Sequence, residues 1–223
     1  MSSTKTKTRD QHQLRLRVFA GPNGSGKSTV TNKQFKDIAL GSGLVGDQFD
    51  KATLEQSYSL RKNMLKLREK SADERLAQII ADFLRKRLLK ERRRFSFETV
   101  FSHPSKLDIM RQAALEGYKV YLYFVSTESP VINKSRVAAR KEKGGHDVPV
   151  DKIESRYYRS LDLLYDACQL SYQVFFFDNS VEDVELLMFA HFKKNGDKKV
   201  WDKMNKKEIP NWFRKYYSKK ISK

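Results

Sequence analysis

The sequence has little cysteine and no long apolar run. A single cysteine, Cys168, occurs among the 223 residues, so no disulfide can form within the chain, which favours a reducing cytoplasm. The longest apolar segments lie around residues 120–125 and 174–177. They are too short to cross a bilayer and instead predict buried strands. We therefore expect a cytoplasmic protein without a membrane span.

Acidic residues are scarce relative to basic ones. The chain carries 27 Asp and Glu against 45 Lys and Arg, a formal net charge of +18. Such a charge attracts anions in general, including nucleotides, nucleic acids and anionic lipids. The excess is uneven, because residues 193–223 alone hold +9. Charge by itself leaves open whether this segment is a binding element or a solvated, solubilising tail.

The same basic segment contains five aromatic side chains, more than a disordered tail usually has. We expect these rings to pack against the main domain while the lysines face outward, with one short helix on each side of Pro210. The lysines then predict weak, salt-sensitive binding to nucleic acid without sequence preference. The aromatic residues are Trp201, Trp212, Phe213, Tyr216 and Tyr217.

One segment near the start of the chain matches the P-loop pattern G-x-x-x-x-G-K-[ST]. An alternating and then fully apolar stretch precedes it, as expected of a strand that enters a buried sheet, and residues 28–40 lack Gly and Pro, so a helix can follow. This context predicts binding of ATP or GTP, with Lys27 at the β- and γ-phosphates and Ser28 on Mg²⁺. The nucleotide-binding residues are Gly21, Pro22, Asn23, Gly24, Ser25, Gly26, Lys27, Ser28 and Thr29.

Predicted strands and helices alternate along the chain, which is typical of a mostly parallel sheet flanked by helices. Ligands bind outside the carboxyl ends of such strands. The P-loop, Asp47, Glu98 with Thr99, and residues 178–180 follow four predicted strands, so they should share one crevice. The predicted strands end at residues 20, 46, 98, 125 and 177, and the predicted helices span 28–40, 53–67, 71–91, 104–116, 130–143, 150–171 and 182–193.

Several polar residues near this crevice are candidates for phosphoryl transfer. Asp47 could orient the acceptor hydroxyl and take its proton, although Asp50 competes for that role. Glu98 interrupts an aromatic strand and needs a partner such as a sugar hydroxyl, a water on Mg²⁺ or an arginine. Arg136 and Arg140 lie four residues apart, so a helix places them on one face, where they could clamp a phosphoryl group.

Two further segments each have two possible roles. His146 follows a pair of glycines that would permit a moving lid, or it faces solvent in a loop. Residues 178–180 could contact the base of the nucleotide, but the residue types favour capping of the helix predicted to begin at Glu182.

Several of these motifs together resemble the zeta toxins and their chromosomal relatives, P-loop kinases that phosphorylate UDP-N-acetylglucosamine. The P-loop alone is not specific, whereas the Gly-Gly-His-Asp-Val-Pro segment at 144–149 and the Arg-Tyr-Tyr-Arg-Ser segment at 156–160 are, and they indicate the chromosomal branch. Matching segments, all in the family's order, are 18–29, 97–100, 117–120, 136–140, 144–149, 156–160 and 177–180.

The resemblance implies a site and a reaction. It implies that the γ-phosphate moves to the 3′-hydroxyl of the amino sugar, with Asp47 as the catalytic aspartate and Glu98 and Thr99 on the sugar. Arg136 would close on the phosphates. Arg140 and His146 compete for the place of the family's second catalytic arginine. An antitoxin protein is an implied partner.

The sequence thus predicts a P-loop kinase fold with three regions: a disordered N-terminus (1–13), a kinase domain (14–192) and a basic aromatic tail (193–223). Two alternatives stay open. The first keeps the enzyme and replaces the nucleotide sugar by a polynucleotide end or RNA, which the basic, aromatic tail would suit. The second is a non-catalytic nucleotide-binding module that binds nucleic acid.

Overall fold

A computed structural model describes residues 13–33, 74–144, 148–182, 186–204 and 209–221. The described strands form a six-stranded sheet in the order β2-β1-β3-β4-β5-β6. The first four strands pair in parallel and the last two pair antiparallel. The strands are β1 (Arg15–Ala20), β2 (Phe95–Thr99), β3 (Lys119–Ser126), β4 (Gln173–Asp178), β5 (Leu187–Asn195) and β6 (Lys198–Met204).

Helices connect the parallel strands, as the alternation in the sequence predicts. The helices are α1 (Lys27–Lys33, as far as it is described), α2 (Glu74–Lys90), α3 (Ser105–Leu115), α4 (Pro130–Glu142), α5 (Val150–Asp162) and α6 (Leu164–Leu170). Residues 21–26 lead from β1 into α1, and three helices, α4, α5 and α6, lie between β3 and β4. A turn at Leu163 divides the helix predicted over 150–171 into α5 and α6.

Apolar side chains on the two faces of the sheet form separate clusters. The larger cluster contains Phe97, Val120 and Phe176 from the strands and packs beneath α2, α3, α5 and α6. The smaller cluster lies on the opposite face and includes Phe19 and Val30, the latter from α1. The central strands are therefore covered on both faces, which explains their nearly continuous apolar sequences.

The helix predicted over 182–193 is wrong, because residues 187–195 form β5. Leu, Met and Ala favour a helix, but pairing with β4 buries Phe189, Ala190 and Phe192 completely, and such tertiary burial overrides propensity. A two-residue connection, Gly196 and Asp197, then leads into β6. Asn195-Gly196 is a strong hairpin signal, and Gly196 has a positive φ of 59°.

The basic segment is therefore only partly as predicted. Its first half continues the hairpin of β5 and β6, so the helix expected before Pro210 is wrong. Its second half is helical, as expected. This C-terminal helical segment consists of α7 (Asn211–Phe213), a π-helical turn (Arg214–Ser218) and α8 (Lys219–Ile221).

The expected packing of the aromatic residues in this segment is confirmed. Trp212, Phe213 and Tyr217 are buried in the larger cluster, and Trp201 and Tyr216 pack against it. Phe213 meets Phe176 edge-on, with ring centroids 4.9 Å apart. Within the described part of the chain, no helix has the length and apolar character needed to cross a membrane.

Candidate functional site

The P-loop joins β1 to α1, and its glycines are held where no other residue fits. Gly21, Gly24 and Gly26 have φ values of +144°, +73° and +94°. A Cβ on Gly21 would lie 2.0 Å from the carbonyl oxygen of Val125, and one on Gly24 would lie 2.7 Å from that of Asn133. The loop is thus packed tightly against β3 and α4, which fixes its backbone.

Lys27 opens α1 and folds back over the loop. It is 7% exposed, and its ammonium group donates to the carbonyl oxygens of Gly21 at 2.9 Å and Pro22 at 2.8 Å. Both of these acceptors are neutral backbone oxygens. An ammonium group in this position can be drawn to an anion above the loop.

Two buried polar atoms of the loop have no hydrogen-bond partner among the described residues. They are the Ser25 hydroxyl oxygen and the Asn23 side-chain oxygen. Leaving a buried polar group unpaired costs about 1–3 kcal/mol. A ligand that accepts a hydrogen bond from the Ser25 hydroxyl would remove part of that cost, and a phosphate oxygen is such an acceptor.

Ser28, the second residue of α1, faces Glu98 near the end of β2. The Ser28 hydroxyl lies 3.2 Å from Oε1 and 3.3 Å from Oε2 of Glu98, to which it donates. Because β1 and β2 are parallel neighbours, the P-loop and the end of β2 lie at the same edge of the sheet. A hydroxyl beside a carboxylate that is 7% exposed gives the oxygen donors that Mg²⁺ prefers.

Thr99 lies next to Glu98, and its hydroxyl oxygen already acts as an acceptor. It accepts a hydrogen bond of 3.1 Å from the backbone N–H of Phe101. Phe101 is fully buried and has a left-handed φ of 59°, a conformation that costs a non-glycine residue free energy and is frequent at functional sites. The turn after β2 thereby fixes the direction of the chain beyond Glu98.

The loop after β3 supports the P-loop from one side. The side-chain amide of Asn133, fully buried on α4, donates to the carbonyl oxygen of Asn23, and its oxygen accepts from the Thr127 hydroxyl. The Tyr157 hydroxyl donates to the Thr127 carbonyl oxygen at 2.7 Å. Burial raises the pKa of Tyr157 well above its usual range, so the phenol stays a neutral donor.

The residue after β4 supports the P-loop from the other side. The side-chain amide of Asn179 donates to the carbonyl oxygen of Ser25 at 2.9 Å. The backbone carbonyl oxygen of Asn179 accepts a hydrogen bond of 2.6 Å from Arg136, which also forms a salt bridge of 3.5 Å with Glu182. The predicted capping role of residues 178–180 is wrong, since residues 187–195 form a strand instead of the predicted helix.

Arg136 and Arg140 share one face of α4, as their spacing predicts. Together with Ala139 and Lys143 they line an open hollow of about 330 Å³. Arg136 donates to Asn179, which in turn contacts the P-loop. Arg140 is exposed on the surface of the helix. The hollow is lined by three cationic side chains, which suits an anionic ligand.

Three candidate residues lie outside the described residues: Asp47, its alternative Asp50, and His146. Their roles stay predictions. Conversely, the structure places Asn133 at the P-loop, a residue that the sequence did not single out, because nothing in the local sequence distinguishes it from a surface helix residue. Asn179 also lies at the P-loop. It belongs to residues 178–180, which the sequence places at the same edge of the sheet as the P-loop.

Comparison with known proteins places this geometry in context. A family model described as an AAA domain matches residues 16–160, which include the P-loop, Glu98 and both arginines of α4. The chain is also 27% identical over 147 residues to a protein of Haemophilus influenzae (strain ATCC 51907 / DSM 11121 / KW20 / Rd) described as uncharacterized. That match covers 62% of this chain and 89% of the other protein.

Two solved complexes contain chains of similar fold. A chain of the AvrRxo1-ORF1:AvrRxo1-ORF2 complex, crystallised with ATP, matches with a TM-score of 0.64 and 18% identity over 86% of this chain. This chain spans only 62% of the length of that one. A chain of the PezAT chromosomal toxin-antitoxin system of Streptococcus pneumoniae matches with a TM-score of 0.50 and 13% identity, covering 82% of this chain and 74% of that one. At these identities the likeness shows a common fold.

Proposed function

The chain belongs to the AAA domain family, and from that premise we propose that it is an ATP-dependent kinase acting on a nucleotide sugar. The acceptor that the sequence motifs favour is the 3′-hydroxyl of UDP-N-acetylglucosamine. The observation that carries the proposal is the meeting of Ser28 with Glu98 beside an intact P-loop. A P-loop binds the phosphates, and a carboxylate at the neighbouring strand end is needed where a phosphoryl group is transferred.

The nucleotide half of the proposal rests on the residues of the loop itself. Lys27 would leave the carbonyl oxygens of Gly21 and Pro22 and bind the β- and γ-phosphates, while backbone N–H groups and the unpartnered Ser25 hydroxyl donate to phosphate oxygens. Consistent with this, a structure of the same fold is described as containing ATP. ATP is our choice, with GTP as the alternative.

Magnesium fits the donors that the structure provides. Ser28 and Glu98 would hold the ion, directly or through its waters. When bound, Mg²⁺ neutralises the charge that develops on the phosphate oxygens. The chain's own contribution is to keep both oxygen donors at one edge of the sheet and to orient Glu98 through the fixed turn at Phe101.

The acceptor half rests on the resemblance to the zeta toxins and on the position of Glu98 and Thr99. Asp47 would orient the sugar hydroxyl and accept its proton, with Glu98 and Thr99 near the sugar and His146 closing over it. Because the Thr99 hydroxyl already accepts from Phe101, we assign Thr99 a role as donor to the substrate, which its O–H leaves available.

Cationic side chains on α4 would stabilise the transferring phosphoryl group. Arg136 is tied to Asn179 next to the P-loop, and Arg140 lines the same hollow one turn further along the helix. A guanidinium group contributes most when it meets charge that develops in the transition state. In this proposal Arg136 holds the nucleotide side of the site and Arg140 moves in with the acceptor.

A protein partner is part of the proposal. One structural neighbour was crystallised as the complex of AvrRxo1-ORF1 with AvrRxo1-ORF2. Another belongs to the PezAT toxin-antitoxin system. We propose an antitoxin-like partner for this chain as well. Weak, salt-dependent binding to nucleic acid through exposed lysines of residues 193–223 is proposed as a separate, secondary property.

The experiment that tests the function is an acceptor panel. The protein is incubated with Mg-ATP and, in separate reactions, with UDP-N-acetylglucosamine, other UDP-sugars, RNA and DNA ends, and each product is examined for the mass of an added phosphate. Phosphate on UDP-N-acetylglucosamine supports the proposal. Phosphate on a polynucleotide alone would assign the enzyme to that acceptor, and ATP binding without transfer to any member would indicate a binding module.

A further inference from the structure

We propose that the C-terminal helical segment belongs to the nucleotide site, with Trp212 as a positioning residue for the P-loop. The inference rests on the proposed function only to the extent that the P-loop binds ATP. It assigns a role to a residue 52 positions beyond the matched family region, which ends at residue 160. Trp212 is hydrogen-bonded to Asp178, and the next residue in the chain, Asn179, is hydrogen-bonded to Ser25.

The first contact joins the segment to the end of β4. Trp212 is 2% exposed, and its indole N–H donates to Oδ1 of Asp178 at 2.8 Å. The ring also packs against Phe124 and Phe189, with centroids 5.9 and 5.6 Å away. The apolar contacts hold the ring in the core, whereas the N–H is directed at a carboxylate, so the two roles can be separated by mutation.

The second contact shapes the turn that follows β4. Both oxygens of Asp178 accept from Ser180: Oδ1 accepts from its hydroxyl at 2.9 Å and Oδ2 from its backbone N–H at 3.2 Å. These bonds close a turn around the intervening residue, Asn179. The Trp212 N–H donates to the Asp178 carboxylate from outside this turn. It therefore fixes the rotamer of the Asp178 side chain, and through it the conformation of the turn.

The third contact carries this position to the P-loop. The Asn179 side chain donates to the carbonyl oxygen of Ser25, and its backbone N–H donates to Ser126 at 2.9 Å. A Cβ on Gly26 would lie 2.2 Å from the Asn179 amide nitrogen, so the amide fills the space beside the loop. A change in the turn would therefore move Ser25 and Gly26, both of which contribute to the phosphate site.

The segment is anchored a second time, to the loop after β3. The backbone N–H of Asn211 donates to Oε1 of Glu128 at 2.8 Å, and the backbone N–H of Glu128 donates to the Ser180 hydroxyl at 2.8 Å. The loops after β3 and β4 are the two that support the P-loop. The C-terminal helical segment thus contacts both loops that support the P-loop. Packing of its aromatic rings in the core would not by itself require these polar contacts.

The test compares two conservative substitutions of tryptophan. Trp212→Phe keeps an aromatic ring but removes the N–H donor to Asp178. Trp201→Phe is the matched control, because Trp201 packs against Phe176 and Phe192 in the same core. We expect Trp212→Phe to weaken ATP binding, measured by calorimetry, by about 5-fold or more, while the control binds ATP like the wild type although its melting temperature falls comparably.

A double-substitution cycle asks whether Trp212 acts through Asn179. In an Asn179→Ala background, Trp212→Phe should change ATP affinity little, since the link to Ser25 is already absent. If Trp212 only supported the fold, the double variant would lose ATP affinity by the product of the two single-variant factors. A third measurement leaves Trp212 unchanged. The chain has two tryptophans, so in the Trp201→Phe protein Trp212 is the one that remains. Its fluorescence should change when ATP binds.

The outcomes separate this inference from the proposed acceptor. Equal ATP affinity in the wild type and Trp212→Phe, or multiplied losses in the cycle, would overturn it, as would unchanged Trp212 fluorescence at saturating ATP. A wild-type protein that binds no ATP would overturn both proposals. Failure to phosphorylate UDP-N-acetylglucosamine would leave these binding results in force, because none of them involves an acceptor.

Discussion

The Ser28 hydroxyl lies 3.2 Å from Oε1 of Glu98, although the two residues are 70 positions apart in the chain. Ser28 is placed by the P-loop and α1, and Glu98 by β2, which pairs in parallel with β1. The sheet thus brings a hydroxyl and a carboxylate to one point at its edge.

Glu98→Gln should raise the Mg²⁺ concentration needed for half-maximal turnover and lower turnover by about 10²-fold. The amide can still accept from Ser28, but it no longer carries the negative charge that favours a divalent cation. A magnesium titration of initial rates measures both effects. Glu91→Gln, on the exposed end beyond α2, is the matched control. The same magnesium dependence in Glu98→Gln and the wild type would remove Glu98 from the metal site.

Lys27→Ala should reduce phosphoryl transfer by at least about 10²-fold, because the ammonium group would be the main cation of the chain at the β- and γ-phosphates. Its ammonium group donates to the carbonyl oxygens of Gly21 and Pro22, both within the same loop, and we expect the fold to survive the change. Rates and circular dichroism are compared with those of Lys90→Ala, a substitution on the exposed part of α2. Turnover like the wild type's in Lys27→Ala would contradict the kinase assignment.

Gly21→Ala should be far more destabilising than Gly117→Ala, although both glycines have positive φ values, +144° and +82°. The new Cβ at 21 would lie 2.0 Å from the backbone oxygen of Val125, which cannot move without β3, whereas nothing lies within 4 Å at 117. Alanine is strained at both positions, and more so at φ +144°, so the difference in stability reports the clash together with this extra backbone strain. We expect it to exceed about 2 kcal/mol in denaturant unfolding; equal losses would mean that the loop can relax.

Asp47→Asn should cut turnover by about 10²–10⁴-fold, the range for a positioned proton acceptor, while ATP affinity stays within a few-fold. Asp50→Asn is both control and rival, since the sequence alone left the role open between the two. Single-turnover rates and calorimetric affinities distinguish binding from chemistry. If Asp50→Asn shows the selective loss of turnover and Asp47→Asn does not, the catalytic aspartate is Asp50.

Much of the parallel part of the fold could be predicted from the sequence, because apolar runs and the P-loop motif are local sequence signals. Glu98 was identified since a carboxylate within an aromatic strand is unusual, but its contact with Ser28 depends on the pairing of β1 with β2. Sequence reasoning about parallel strands predicted only that the two ends meet at one edge.

The remaining features depended on contacts between distant residues. The sequence of β5 predicts a helix because its residues favour helices, but burial against β4 makes it a strand. The hairpin signal at Asn195-Gly196 was present in the sequence. By contrast, the bonds of Asn133 to Asn23 and of Trp212 to Asp178 span 110 and 34 positions, and no local pattern could have indicated them.

Phosphorus NMR of a single reaction tests the central claim most directly. The wild-type protein is mixed with Mg-ATP and UDP-N-acetylglucosamine, and the phosphorus signals are followed with time, beside a Lys27→Ala sample. We predict that ADP appears together with an equal amount of a new phosphomonoester on the sugar, that the pyrophosphate link of the UDP-sugar stays intact, and that the Lys27→Ala sample does not change. Release of inorganic phosphate without a sugar phosphomonoester, or no consumption of ATP, would contradict the account.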